Sequence, residues 1–339
     1  MKKRISFLLV LAMVLTMAAC GNTAKAPTTE ASSAAAETMA VTEAAPESRV
    51  ITDAAGRTVE IPAEVNQVVC VGVGALRYTC YVGGADRVIG VEDYETKPGM
   101  SRLYNYVNFD KFKDLPVIGT NGEPFVEEIV GVDPQVIVMS SYAKQDADEL
   151  SEKTGIPVVV VPGSDTTLDG KAYETIRILG ELYGLEDRAE TLTAYLRGVQ
   201  KDLDDRTASI PEESKPACYV GGVSFKGQHG FEGTEAYYGP FELIHAKNLA
   251  NTTDQTGAFN IDVEQGLAWD PDVIFLDFNG MSLIKEDYEA HPDFYNALTA
   301  VQEGRVYSQI SFRSSASNLE TALADAYYAA CVMYPQQFQ

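Results

Sequence analysis

Short apolar runs that fit buried β-strands alternate along the chain with stretches of helical periodicity. The elements predicted in the first half are a hairpin at 51–61, strands at 67–71, 87–91, 136–139 and 157–161, and helices at 75–82, 124–130 and 144–153. Alternation of this kind builds βα units, in which the strands lie mostly parallel. The first half is therefore predicted to form an α/β unit.

The same alternation starts again near residue 217. The elements predicted there are strands at 217–221, 273–276 and 305–307 and helices at 240–246, 263–267 and 316–333. One segment occurs twice, because V-E-x5-D-P-x-V-I begins at Val126 and again at Val263. In each copy the Pro is expected to end a short helix and to bias the preceding Asp toward extended geometry. The repeat predicts two related lobes rather than one large sheet.

A long amphipathic stretch separates the two series. Apolar residues at 189, 192, 196, 199 and 203 form one stripe on a helix predicted over 186–209. A helix of this length spans roughly 36 Å, enough to join two lobes side by side. An ordinary surface helix within one domain fits the stripe nearly as well. The predicted boundaries are 49–185 for the first lobe, 186–210 for the linker helix and 211–339 for the second lobe.

The N-terminus has the pattern of a secretion signal at residues 1–19. A basic start precedes an apolar run that closes with small residues before Cys20. The run is short for a spanning helix. A Cys at the cut site resembles a bacterial lipobox, which implies lipidation of Cys20 and stable anchoring through several acyl chains. Residues 20–48, rich in Ala, Thr, Ser and Glu, are then predicted to be the lipidated Cys and a disordered tether.

The charge of the chain excludes some partners. The formal net charge is −23, and removal of the three positive charges in residues 1–19 leaves −26. Nucleic acid binding rewards clustered Lys and Arg, so it is not expected. An acidic surface also disfavours lying flat on anionic lipid.

The order of these features resembles the periplasmic-binding-protein family that serves ferric-siderophore, haem and cobalamin importers. The resemblance runs from about residue 49 to 339 and rests on the lead hairpin, the repeated segment, the segment 83–90 (Gly-Gly-Ala-Asp-Arg-Val-Ile-Gly) and the linker helix. It implies two Rossmann-like α/β lobes, with mostly parallel sheets, joined by a single long backbone helix. It also implies docking on an ABC permease and its ATPase through one Glu on each lobe, which by position are Glu127 and Glu264. Glu128 leaves the first of these open by one residue.

The resemblance further implies a monomeric, extracytoplasmic lipoprotein that captures a metal chelate. A ferric siderophore is the first expectation, with haem or a corrinoid such as cobalamin as alternatives. Ligands of open α/β lobes meet the carboxyl ends of the strands. Aromatic and cationic residues near those ends suit a large or anionic chelate. The candidates are Arg77, Tyr94, Tyr142, Lys226, His229, Tyr237, Tyr238 and Arg313.

Other chemistries have weaker support. The three His residues, at 229, 245 and 291, contain no i, i+3 or i, i+4 pair, which disfavours a bare zinc or manganese site. The sequence 72–77 lacks the third Gly of a dinucleotide fingerprint, and neither a P-loop nor G-x-S-x-G occurs. No enzyme activity, metal or cofactor is expected, although the scaffold is shared with chelatases. Cys70, Cys218 and Cys331 fit apolar patterns and are expected to be buried free thiols.

Overall fold

A computed structural model describes residues 47–163 and 167–339. The strands are β1 Ser48–Thr52, β2 Thr58–Pro62, β3 Val68–Val71, β4 Val88–Glu92, β5 Val117–Thr120, β6 Glu123–Pro124, β7 Val136–Ser140, β8 Val158–Val161, β9 Ala217–Gly221, β10 Gly233–Ala236, β11 Lys247–Asn248, β12 Gly257–Asn260, β13 Val273–Asp277 and β14 Val306–Gln309. The signal sequence, Cys20 and nearly all of the tether lie outside the described residues.

The helices vary from a single turn to six turns. They are α1 Ala75–Tyr81, α2 Leu103–Phe112, α3 Val126–Val132, α4 Ala147–Thr154, α5 Gly170–Tyr183, α6 Glu186–Thr207, α7 Gly239–Glu242, α8 Val263–Trp269, α9 Met281–Ala290, α10 Pro292–Ala297, α11 Thr299–Gln302 and α12 Leu319–Met333. Over the two described ranges, none of these helices is both long and apolar enough to cross a bilayer.

The first sheet has the strand order β6-β5-β4-β3-β7-β8, and only the short β6 runs antiparallel to its neighbour. Every residue of β3, β7 and β8 is buried. One face packs against α1 and α5, and the other packs against α3 and α4. Coverage on both faces explains why these strands are continuous apolar runs rather than alternating ones.

The second sheet has the order β11-β9-β13-β14, with all strands parallel. Helices α7 and α12 cover one face, and α9 to α11 cover the other. A separate antiparallel pair, β10 with β12, packs beside β9. The protein therefore has the predicted α/β fold, with two lobes built on mostly parallel sheets.

Helix α6 connects the two sheets in the chain and packs against both hydrophobic cores. Its 22 residues correspond to roughly 33 Å. Ala189 and Leu196 belong to the core of the first lobe, whereas Leu203 belongs to the core of the second. The apolar stripe found in the sequence therefore packs against the cores of both lobes, and Val199 contacts each of them.

The repeated segment forms the same structure in both lobes. Helices α3 and α8 each lead through Asp-Pro into a central strand. The amide of Gln135 donates to the carbonyl of Gln67, and the amide of Asp272 donates to that of Ala217, both at 2.9 Å. The prediction for Asp133 and Asp270 was wrong, because both are left-handed, with φ of 52° and 40°. This conformation lets the Asp end the helix and still precede Pro.

Several elements were missing from the prediction. Helices α2 and α5, strand β5 and the β10–β12 pair were not predicted, and the predicted helix at 240–246 ends as α7 at Glu242. Cys70 and Cys218 are buried thiols, and burial raises the pKa of Cys70 to about 12. Cys331 is exposed, so its predicted burial was wrong. It lies on the outward side of α12, an element that is apolar over most of its circumference.

Candidate functional site

In each lobe the strand order reverses at one point, and open α/β sheets bind ligands at the carboxyl edge of such a point. In the first lobe, β3 leads to β4 on one side, whereas β7 leads to β8 on the other. The chain therefore continues to opposite sides after β3 and after β7, which is the topology of ligand sites in open α/β sheets, while the first residues after the two strands pack against each other. Gly72 follows β3 with φ of 85°, and a Cβ there would lie 2.6 Å from the Ser140 hydroxyl. Only glycine permits this close approach.

The second lobe has the same arrangement. Its reversal point lies between β9 and β13, whose chains also leave in opposite directions. Gly222 follows β9 with φ of 81°, and a Cβ there would lie 3.0 Å from the carbonyl oxygen of Asp277. Equivalent glycines thus bring two loops together at the carboxyl edge of each sheet.

A buried carboxylate lies at the carboxyl edge of the first sheet. Glu92, at the end of β4, accepts a hydrogen bond from the amide of Gly122 at 2.6 Å. Burial raises the pKa of Glu92, and backbone amides of Gly122 and Gly72 oppose this shift. The half-buried Tyr94 lies next to it, and its ring packs 5.2 Å from the Arg102 guanidinium. Burial raises the pKa of Tyr94, so its hydroxyl remains neutral.

Arg77 is a contact between the lobes and not an open cation. Its guanidinium is fully buried and donates at 3.0 Å to Asn318 Oδ1 and to the carbonyls of Ser314 and Ser317. A further bond reaches the carbonyl of Ser315. With its donors engaged by the loop after β14, Arg77 does not present its charge to a ligand, which corrects its assignment as a ligand contact.

Three buried acids fix the beginning of that loop. Glu235 accepts two hydrogen bonds from Arg313, one of them at 2.7 Å from Nε. Asp277 accepts from the Ser311 hydroxyl, and Asp325 accepts from the amide of Ile310 at 3.3 Å. Burial raises the pKa of all three carboxyls, to about 8 for Asp325. Arg313 is therefore paired within the protein, although part of its side chain is exposed.

The remaining predicted residues fall into two groups. Tyr238 is completely buried among Phe241 and Phe312, so its assignment as a pocket wall is wrong. It faces inward because it directly precedes α7, which packs against α12. The others retain accessible surface near the strand ends, and they are Tyr94, Tyr142, Lys226, His229 and Tyr237. Their predicted role as ligand contacts stays a prediction.

His229 is held within its own loop. Its ring stacks on Phe225 with centroids 4.1 Å apart, and Nε2 lies 2.8 Å from the Phe225 carbonyl oxygen. His245 pairs with Asp204 at 2.7 Å, and His291 pairs with Asp287 at 2.9 Å. Across the described ranges, no three His, Cys, Asp or Glu residues are grouped so that they could hold a metal ion.

Two exposed apolar residues at the strand ends were not among the predicted ligand contacts. Phe278 directly follows β13 and is 68% exposed, and Ile310 directly follows β14 and is 55% exposed. They are neighbours, because Asp277 pairs with Gln309 in the parallel register of the two strands. Phe278 and Ile310 lie two and three residues past the predicted ends of their strands at 276 and 307, and a pattern of apolar positions does not define the register that makes them neighbours.

Residues around the start of α2 in the first lobe include one contact to the loop after β14 and several exposed apolar side chains. Ser101 donates to the hydroxyl of Ser314 at 3.1 Å, which links the segment before α2 to the loop after β14. Met100, Tyr106 and Val107, on either side of Ser101, are exposed. The apolar rim is defined as Met100, Tyr106, Val107, Phe278 and Ile310. Ser314, which Ser101 contacts, also accepts a hydrogen bond from Arg77 through its carbonyl.

Residues 69–309 match the family model described as periplasmic binding protein. The chain belongs to this family. It is 26% identical over 253 residues, 74% of each chain, to an uncharacterised ABC transporter substrate-binding lipoprotein of Bacillus subtilis. The chain is therefore the substrate-binding component of an ABC importer, and such proteins deliver their ligand to a membrane permease.

Two further proteins that are similar to this chain are named for the ligand that they bind. The molybdate-binding protein of Haemophilus influenzae is 22% identical over 311 residues, 84% of each chain. Its molybdate-bound structure matches with a TM-score of 0.66 and 18% identity, covering 86% of this chain and 93% of that one. The Fe(3+)-citrate-binding protein of Bacillus subtilis is 22% identical over 195 residues, 57% of this chain and 59% of the relative.

Proposed function

We propose that the protein is anchored outside the cell membrane through lipidated Cys20 and captures a ferric-siderophore-type iron chelate. The chelate would lie at the carboxyl edges of the two sheets and would be delivered to the permease and its ATPase. The observation that carries this proposal is the apolar rim, because an organic chelate has apolar surface to cover. Tyr94, Tyr142 and Tyr237, which retain accessible surface near the strand ends, would add aromatic contact area at low entropic cost.

The rim favours a large organic ligand over a small oxyanion such as molybdate. A compact anion is held by converging N–H donors or cations. Arg77 and Arg313, which were predicted to supply that charge, already donate to protein oxygens. Exposed apolar side chains contribute little free energy to the binding of a tetrahedral anion. They contribute much more to the binding of a chelate, because its organic shell has apolar surface that they can cover.

Haem and cobalamin remain the alternatives within the same site, since both are large and partly apolar. Each histidine has a protein partner, and His229 would have to leave its stack on Phe225 to become an axial ligand. This favours an iron chelate whose metal is already saturated by its own chelator. The Fe(3+)-citrate-binding relative adds support for iron.

Docking is proposed to use Glu127 and Glu264. Both are exposed, and they occupy the same position on the equivalent helices α3 and α8. A carboxylate on each lobe can meet a basic group on the permease, which fixes orientation and speeds encounter. Glu128 is also exposed next to Glu127, so the first-lobe carboxylate is one of these two.

Replacing Phe278 and Ile310 by Ser is expected to weaken chelate binding without unfolding the lobe. Each side chain that loses apolar contact with the ligand should lower affinity by about tenfold. The measurement is calorimetric titration with ferric citrate, a ferric catecholate, a ferric hydroxamate, haem, cobalamin and molybdate. The control is Val50→Ser on β1, which removes an apolar side chain that is 62% exposed but lies outside the rim.

Equal affinity of the rim variants and the unmodified protein for the bound chelate would contradict a role for the rim. Binding of molybdate alone would contradict the iron-chelate proposal and favour the oxyanion. Recovery of the ligand unchanged after release separates capture from a chelatase-like reaction. Binding of bare Zn²⁺ or Mn²⁺ in place of any chelate would also contradict the proposal and would indicate a protein that binds the free ion.

A further inference from the structure

Helices α3 and α8 present the same outward face on the two lobes. In each, the second residue is an exposed Glu, the fourth is buried, and the fifth is exposed and aliphatic. The aliphatic residues are Val130, which is 47% exposed, and Leu267, which is 40% exposed. Both helices then end at an Asp in the left-handed conformation.

Each aliphatic residue lies beside the carboxylate of its own helix. Val130 follows Glu127 by three residues, and Leu267 follows Glu264 by three. Residues at this spacing are neighbours on a helix surface. Each lobe therefore exposes a pair, defined here as the docking pair, of one carboxylate and one branched aliphatic side chain.

Packing within the lobes does not account for this similarity. The buried residues of the two helices differ, since Ile129 in α3 corresponds to Gly266 in α8. Single exposed aliphatic residues are common on protein surfaces. Two of them at equivalent positions, each beside an equivalent exposed acid, indicate a partner that meets both lobes in the same way.

We propose that Val130 and Leu267 are docking contacts that act together with Glu127 and Glu264. The partner is an ABC permease with two equivalent sockets, each combining a basic side chain and an apolar recess. Burial of the aliphatic side chain would exclude water from the adjoining ion pair, as contacts around interface hot spots do. This inference rests on the proposed delivery function and adds a determinant of which permease is recognised.

The test compares variants of the full lipidated protein on the permease–ATPase complex of its host, reconstituted in nanodiscs without added ligand. Docking affinity and the stimulation of ATP hydrolysis are measured together. Val130→Ser with Leu267→Ser is expected to weaken docking by about tenfold, since the two substitutions remove apolar area that the interface would bury. The matched control Val50→Ser, on the β1–β2 hairpin, should dock like the unmodified protein.

A second variant separates this inference from the proposed function. Glu127→Gln with Glu264→Gln should lose docking if the carboxylates meet basic groups. If that variant loses docking but the serine variant docks normally at an unchanged melting temperature, the aliphatic contacts are refuted and the delivery function stands. If the glutamine variant docks normally, the carboxylates do not meet basic groups on the permease. The proposal that the aliphatic residues act together with them is then refuted as well.

Discussion

Replacing Arg77 by Met should destabilise the protein by about 3–5 kcal/mol, because it leaves buried acceptors without a donor. These are the carbonyls of the loop after β14 and Asn318 Oδ1. That loop includes Ser315 and Ala316 with φ of 54° and 63°, a conformation that non-glycine residues adopt only when surrounding contacts hold it. The measurement is urea unfolding.

Arg177→Met is the matched control for this prediction. Arg177 is an exposed arginine on α5 that pairs with Glu181 one turn away. Such a surface pair contributes about 0–1 kcal/mol, so its loss should hardly change the free energy of unfolding. A similar small effect for Arg77→Met would contradict the interpretation that Arg77 fastens the loop of the second lobe to α1.

Asp325→Asn should stabilise the protein at pH 8 and leave it unchanged at pH 4. Burial raises the pKa of Asp325 to about 8, with a further contribution from Asp277. Folding therefore favours the protonated carboxyl, and stability is lost as the pH rises from the unfolded value of 3.8 through the folded value. The full shift corresponds to roughly 6 kcal/mol in favour of the amide at alkaline pH.

The polar surroundings support this substitution. Asp325 Oδ2 and Gln309 Oε1 are both buried and have no hydrogen-bond partner among residues 47–163 and 167–339. The side-chain Nε2 of Gln309 donates to the main-chain carbonyl of Asp325 at 3.1 Å, a bond that the substitution leaves in place. Melting temperatures from pH 4 to pH 9 check the prediction, with Asp254→Asn as an exposed control. Parallel profiles for the unmodified protein and the Asp325 variant would contradict it.

The fold was predictable where hydrophobic pattern alone determines an element. Strands β3, β7 and β8 are short apolar runs buried on both faces, and their Val-rich composition favours a β-strand. The repeated segment also identified two lobes, because its helix, Asp-Pro turn and strand recur with the same hydrogen bonds. Helix α2 was missed because tertiary contacts stabilise it. Its Asn105 donates to Glu95 at 2.9 Å and Tyr104 donates to the same carboxylate at 2.5 Å.

The site was less predictable, since sequence does not reveal which charges the protein itself neutralises. Arg77 and Arg313 have the residue type expected of ligand contacts, but their partners lie 237 and 78 residues away in the chain. Tyr238 was misplaced for the same reason, because its burial depends on α12 packing against α7. Phe278 and Ile310 required the parallel register of β13 and β14, which a pattern of apolar positions does not define.

The contacts of Arg77 also bear on how the lobes move. Tyr81, on the same helix, donates to Glu320 at the start of α12, and its hydroxyl accepts from the Leu319 amide at 3.2 Å. These bonds and the packing of α6 on both cores tie the lobes together at several points. Ligand capture is therefore expected to involve small adjustments at the apolar rim rather than a wide closure of the lobes. The ligand would favour the adjusted conformation by binding it more tightly than the empty one.

Thermal unfolding of the purified protein with a ligand panel tests the central claim most directly. The panel contains ferric citrate, a ferric catecholate, a ferric hydroxamate, haem, cobalamin, molybdate, Zn²⁺ and Mn²⁺. A ligand present at about 100 times its Kd stabilises the folded state by roughly 2.7 kcal/mol, which raises the melting temperature measurably. We expect such a rise with a ferric chelate and no rise with its iron-free chelator. A rise with molybdate or a bare divalent ion alone would contradict the account.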